Sequence, residues 1–170
     1  EQVPLKVLTV NEGGFHLTQA VLAAKGALTP GVRYTLRFDQ ALSEDGFSLR
    51  RGAAPAWLVG AGPDFEPPRW NAAPTPKPGE LKAMGCGPSA HARIELAVED
   101  AGPLLVRAVV QRDGKATEYL LKREEDGSLR VGHDMCSGAF DLGDGAWTLE
   151  LSAVDLAGNS TPAPGGALAF

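Results

Sequence analysis

The chain has 170 residues, a formal charge of −5 and 44% apolar residues, which is enough to bury a core and argues against a disordered tail. Its basic residues cluster no further than the pairs Arg50-Arg51 and Lys122-Arg123, so the concentrated positive surface of a nucleic-acid binder is missing. No apolar run nears the ~20 residues of a membrane-spanning helix.

Glycine (21) and proline (13) supply about a fifth of the chain against a usual share of ~12%. Because they are spread along its length, they predict many turns between short elements. The opening Glu1-Gln2-Val3-Pro4 lacks the basic start and apolar stretch of a secretory leader, as expected of a mature or trimmed product.

Taken in order, the predicted elements are short strands with apolar residues at every second position. Leu5, Val7 and Thr9 oppose Lys6, Leu8 and Val10. Leu17–Leu28 is rich enough in Ala and Leu for a helix, but Phe15, Leu17, Gln19 and Val21 share a strand face, and strand is the reading preferred. Tyr34, Leu36 and Phe38 share the next face, and Trp57 falls in a run that reads as a buried strand. Ile94, Leu96 and Val98 follow, then the row Leu105, Arg107, Val109 and Gln111, then Tyr119–Lys122, and last Trp147, Leu149, Leu151 and Ala153. Asp-Gly pairs at 45–46, 113–114, 126–127 and 144–145 are hairpin signals, since Gly takes positive φ without penalty and Asp bonds nearby backbone. Strands at this spacing with turns between them predict an all-β sandwich architecture.

The stretch from Glu66 to Gly79 carries five prolines. Proline lacks a ladder donor and fixes φ, so this segment is predicted to be extended and unsuited to a central strand. It is taken as a linker at 67–79, between an N-terminal domain at 1–66 and a C-terminal one at 80–170.

Two segments resemble bacterial immunoglobulin-like (Big) and fibronectin-type modules. Leu28-Thr29-Pro30-Gly31-Val32-Arg33-Tyr34-Thr35-Leu36 is similar to an L-x-P-G-x-x-Y-x-L segment, and Gly145–Asn159 to a G-x-[YW]-x-L-x-V-x-A-x-D-x-A-G-N close. The resemblance covers about a fifth of the chain and lies in residues that encode strand and turn. It implies two Ig-like β-sandwich modules in an exported bacterial protein, outside the cytoplasm, and no catalytic residue. The first module is short or partial, because about 66 residues fall below the ~100 of a complete Ig-like domain.

In that setting an even pair of cysteines, Cys86 and Cys136, suggests one structural disulfide. It would close a loop of about 50 residues, worth ~4 kcal/mol on the chain-entropy model. Two sharper readings use the histidines near the cysteines. Cys86, His91, His133 and Cys136 could form a tetrahedral zinc set, although C-x4-H and H-x2-C match no familiar zinc module. A cysteine nucleophile would need a histidine and an orienting acid, for which Asp134 is the candidate. Ser89 and Ser137 lack a G-x-S-x-G elbow, and no phosphate-binding glycine loop occurs.

Asp155-Leu156-Ala157-Gly158-Asn159 is read as a turn rather than a calcium loop, because calcium needs six to eight oxygens and Asp155 stands alone. In that turn Gly158 and Asn159 are expected at positive φ. The acidic run Glu124-Glu125-Asp126 reads as a solvated hairpin tip. Trp147 reads as core, leaving Trp70 as the plausible exposed aromatic.

The expectation is therefore a non-catalytic structural or binding module that needs no cofactor or metal. It would display loops at 60–72, 85–92 and 133–144 to an unknown protein or glycan. The alternatives are a small metal- or thiol-dependent enzyme and an accessory domain of a larger enzyme.

Overall fold

The computed structural model describes residues 2–15, 17–37, 55–85, 87–135, 137–143 and 145–170. Every regular element among them is a β-strand, and the pairings are antiparallel. Contacts divide the chain into two units: 1–6 with 23–64, and 7–22 with 65–170.

In the first unit, β3 (Arg33–Thr35) pairs with β4 (Ala56–Leu58), placing Tyr34 opposite Trp57. Backbone bonds from Gly31 N–H to Val59 O and from Leu36 N–H to Pro55 O prolong the ribbon at both ends. Trp57 lies on a strand, but it is 44% exposed rather than buried. A two-stranded ribbon can shield only part of so large a ring. Phe38 and the turn at Asp45-Gly46 lie outside the described residues. The hairpin of β1 (Leu5–Glu12) and β2 (Thr18–Ala24) starts and ends in this unit, while its turn belongs to the second. The run that could have been a helix is thus strand β2.

The second unit is built from two larger sheets. The first runs in the order β12 (Ser137–Gly138), β11 (Leu129–Asp134), β7 (Gly87–Glu95), β6 (Thr75–Met84). The second runs β10 (Lys115–Leu121), β9 (Leu104–Arg112), β13 (Thr148–Asp155), β14 (Ser160–Pro162), with β15 (Leu168–Ala169) also paired to β13. A short pair joins β5 (Arg69–Trp70) to β8 (Val98–Glu99).

Alternation puts Ala92 and Ile94 of β7 and Leu129 and Val131 of β11 in one buried cluster with Val106, Ala108 and Val110 of β9 and Leu149, Leu151 and Ala153 of β13. Each large apolar side chain buried there contributes roughly 1.5–3 kcal/mol. On β9 the inward row is Leu104, Val106, Ala108 and Val110, not the row of Leu105 and Val109. Val109 on the other face is buried as well, so apolar residues occupy both faces of this strand. Trp147 is buried as expected and stacks on Phe170 with ring centroids 4.1 Å apart.

The segment read as a linker at 67–79 contributes β5 and the first half of β6 to the second unit. Its prolines are accommodated because β6 is an edge strand and shifts register between Lys77 and Glu80, and sheet edges and bulges tolerate proline. Trp70 is only half-exposed: it packs against the core, and its indole Nε1–H donates to Thr161 O at 3.1 Å.

The turns account for the Asp-Gly signals in part. Asp113 and Gly114 have φ of 50° and 73° between β9 and β10, as a two-residue type I′ hairpin requires. Asp126 Oδ1 accepts the Ser128 N–H and hydroxyl beside Gly127, closing the acidic tip. Asp144 lies outside the described residues. After β13, Asp155 Oδ1 accepts Asn159 N–H and Oδ2 accepts Asn159 Nδ2–H, both at 2.8 Å. Gly158 alone takes positive φ there (94°), not Asn159, whose backbone and amide instead satisfy the carboxylate.

Candidate functional site

The residues singled out for chemistry gather around β7 and β11. These strands pair with Gly132 opposite His91 and Ala90 opposite His133. Side chains on neighbouring strands point the same way only when directly opposite, so this one-residue offset sends the two histidines to opposite faces of the sheet. Burial agrees on β11: Val131 and His133 are buried on the inward side, while Arg130 and Asp134, on the face that carries the largely shielded His91, are exposed. The four-residue set of Cys86, His91, His133 and Cys136 therefore loses one of its two histidines. Both cysteines lie outside the described residues.

On the outward face, His91 is surrounded by polar groups. Arg130 Nη2 lies 2.9 Å from its Nδ1 and 3.1 Å from its Nε2, and Asp134 Oδ1 lies 3.6 Å from Nε2. Burial pushes the His91 pKa below the usual imidazole value, and the Arg130 charge pushes it further, with Asp134 pulling the other way. Ser89 Oγ is 3.4 Å from His91 Nδ1 but also donates to His133 O at 3.3 Å. Serine, histidine and aspartate thus adjoin without a relay, because the hydroxyl proton is directed at a carbonyl and Arg130 sits at the ring nitrogens. Glu80, opposite His91 on β6, is held below the usual carboxylate range by Lys82.

The inward face is different. His133 is 4% exposed and lines a depression of about 700 Å³ with Phe15, Leu81, His91, Met135, Asp141 and Trp147. Its Nδ1 lies 2.9 Å from Asp134 O. A carbonyl can only accept, so Nδ1 is the donor in this pair. Asp141 Oδ1 lies 3.9 Å from the ring's Nε2. Phe15 lies against the ring with centroids 4.7 Å apart and has φ of 54°, a conformation that is costly for a bulky residue.

Two close approaches bring this end of the unit together. Gly14 N–H donates to Ala139 O at 2.7 Å, docking the β1–β2 turn on the segment after β12. Gly138 is paired with His133, and a β-carbon there would overlap His133 Cα and Cβ, so only glycine lets β12 lie so near. The described neighbours of the two cysteines also come together: a β-carbon on Gly87 would sit 3.4 Å from Met135 O.

The segments expected to be loops are in part strands. Residues 87–92 belong to strand β7, 69–70 to β5, and 137–138 to β12. Phe15 and Gln19, which no spacing in the sequence connects with a site, both belong to the second unit. Comparison with protein-family models, curated proteins and solved structures finds no match for this chain.

Proposed function

We propose that the chain is a non-catalytic structural or binding module of an exported bacterial protein, with Ig-like sandwich character and a place outside the cytoplasm. Its role is display, with rigid sheets holding turns toward a protein or glycan partner. The observation that carries this reading is the convergence of turns at one end of the second unit. The β1–β2 turn, the residues flanking position 86 and the segment 135–143 meet there around His133. Recognition commonly resides on loops held by a rigid scaffold.

The export part of the proposal includes a disulfide between Cys86 and Cys136, supported by the approach of Gly87 to Met135. Intact mass without reductant, and again after reduction, tests it. A gain of two hydrogens on reduction is expected, whereas two thiols that react with an alkylating agent before reduction would remove it. The display part is tested with Phe15→Ala and Met135→Ala once a protein or glycan partner is in hand. Both variants are expected to lose binding while keeping the wild-type unfolding midpoint, and unchanged binding in both would remove the reading.

The zinc set that needed His91 and His133 on one ion loses support, because the two side chains face opposite ways.

A further inference from the structure

We infer that His91, Arg130 and Asp134 form a proton-operated switch on the outward face of the sheet that holds β6, β7 and β11. Protonation of His91 takes Asp134 away from Arg130 and sends the guanidinium to the acidic turn before β11. This goes beyond the display reading and rests on none of its outcomes.

Strand pairing sets the resting position. His91 stands opposite Gly132, which has no side chain, so the imidazole reaches both Arg130 and Asp134, two residues to either side on the same face. Arg130 Nη2 is 2.9 Å from His91 Nδ1 and 3.1 Å from Nε2. Because Cε1 lies between those nitrogens in the ring plane, a group this near to both stands over the face of the ring. A guanidinium stacks well on a neutral aromatic face. Ser89 Oγ lies 3.4 Å from Nδ1 and Asp134 Oδ1 3.6 Å from Nε2, while the same Asp134 oxygen is 3.4 Å from Arg130 Nη2.

A proton on His91 reverses these preferences. Both ring nitrogens then donate, and an acceptor already stands near each. The Ser89 hydroxyl sends its own proton to His133 O and keeps its lone pairs for Nδ1–H, and the Asp134 carboxylate receives Nε2–H. The stacked guanidinium now meets a like charge at close range. Water screens that repulsion poorly, since the His91 side chain is 9% exposed. Arg130 loses its stack and its carboxylate together.

The surrounding charges direct where it goes. Arg93, opposite Arg130 on β7, occupies Asp126, and Lys82 holds Glu80 at 2.8 Å. Glu124 and Glu125, in the turn that leads into β11, line a depression of about 400 Å³ with Arg130 and His91 and provide the new partner. His133, on the opposite face, adds a repulsion but no acceptor. Burial and Arg130 hold the His91 pKa below its ordinary value. The exchange therefore falls below about pH 6.5 and above the ordinary glutamate range near ~4.3.

The test is a proton NMR titration of the whole chain, from neutral pH down to the onset of unfolding. Ring current shields the Arg130 side-chain protons while the guanidinium is stacked. These protons are expected to move downfield with the midpoint of the His91 ring protons, and contacts from Arg130 to the Glu124 or Glu125 side chain are expected in acid. Asp134→Asn is expected to lower the His91 midpoint. Glu124→Gln combined with Glu125→Gln is expected to abolish the new contacts while His91 still titrates. All three positions are exposed, so the fold is kept. Arg130 protons that ignore the His91 midpoint, or stay shielded once His91 is protonated, would overturn the inference. So would a His91 that remains neutral until the chain unfolds, or a midpoint unmoved in Asp134→Asn.

Discussion

The carboxamide of Gln19 makes to Leu120 both of the hydrogen bonds that a neighbouring strand would make: Nε2 donates to Leu120 O at 2.9 Å and Oε1 accepts Leu120 N–H at 2.8 Å. Asn11, buried in β1, donates to the same Oε1 at 3.2 Å and holds the amide in place. One side chain of β2 therefore fastens the hairpin to the outer strand of the second sheet.

Gln19→Ala removes the two bonds to Leu120 and the one from Asn11 at a half-buried position, and the variant is expected to lose roughly 1.5–4.5 kcal/mol in urea unfolding at about 0.5–1.5 kcal/mol net for each bond. Gln19→Glu is expected to cost at least as much, because a carboxylate then faces the Leu120 carbonyl.

Gly138→Ala tests the close approach of β12 to β11. The added methyl overlaps His133 Cα and Cβ, and forced packing of this kind costs about 1–3 kcal/mol. A lowered urea midpoint is expected, together with loss of the Phe15–His133 ring contact, seen as a change in the His133 proton chemical shifts.

The turn after β13 should be indifferent to calcium. Both Asp155 oxygens are taken by Asn159, so millimolar calcium is expected to leave Tm unchanged. Asn159→Ala removes the side-chain donor from a buried carboxylate and is expected to cost about 1–3 kcal/mol.

Stability should fall on acidification through the range where His91 titrates. Its folded pKa is lowered by burial and Arg130, so the unfolded chain takes up the proton first as pH drops. Between the unfolded value near ~6.5 and the lower folded one, unfolding gains protons. The contribution is therefore complete above the unfolded value and is lost as pH falls toward the folded one. Urea midpoints at pH 7.5 and pH 5 should differ less in His91→Gln than in the wild type, and equal differences would refute the assignment.

What the sequence disclosed followed from local spacing. Trp147, Leu149, Leu151 and Ala153 alternate, and all four are buried. Asp113-Gly114 carried its hairpin in two residues. β9 was harder, because Leu105 and Val109 make its second face apolar too, so its inward row has no distinct pattern. Trp70 looked exposed amid prolines, yet its partner Thr161 is 91 positions away. The separation of the histidines depends on the pairing offset of β7 and β11, which no spacing within either strand encodes. Gln19 left a trace, as a polar residue inside an apolar strand, but its partner did not. Whether the two segments that resemble Ig-like modules make complete modules is a question of topology, which strand-and-turn motifs leave open.

The prolines of β6 bear on behaviour in concentrated solution. Pro76 and Pro78 have no N–H to offer, and the register shift beside them bends the strand away from a straight template. An unrelated strand approaching that edge meets missing donors, a kink and the ammonium groups of Lys77 and Lys82, which together frustrate the sheet-to-sheet propagation that seeds fibrils. The proline-rich stretch thus acts as a guard on the fold's outer margin, and replacing Pro76 and Pro78 together with threonine would open that margin to self-assembly.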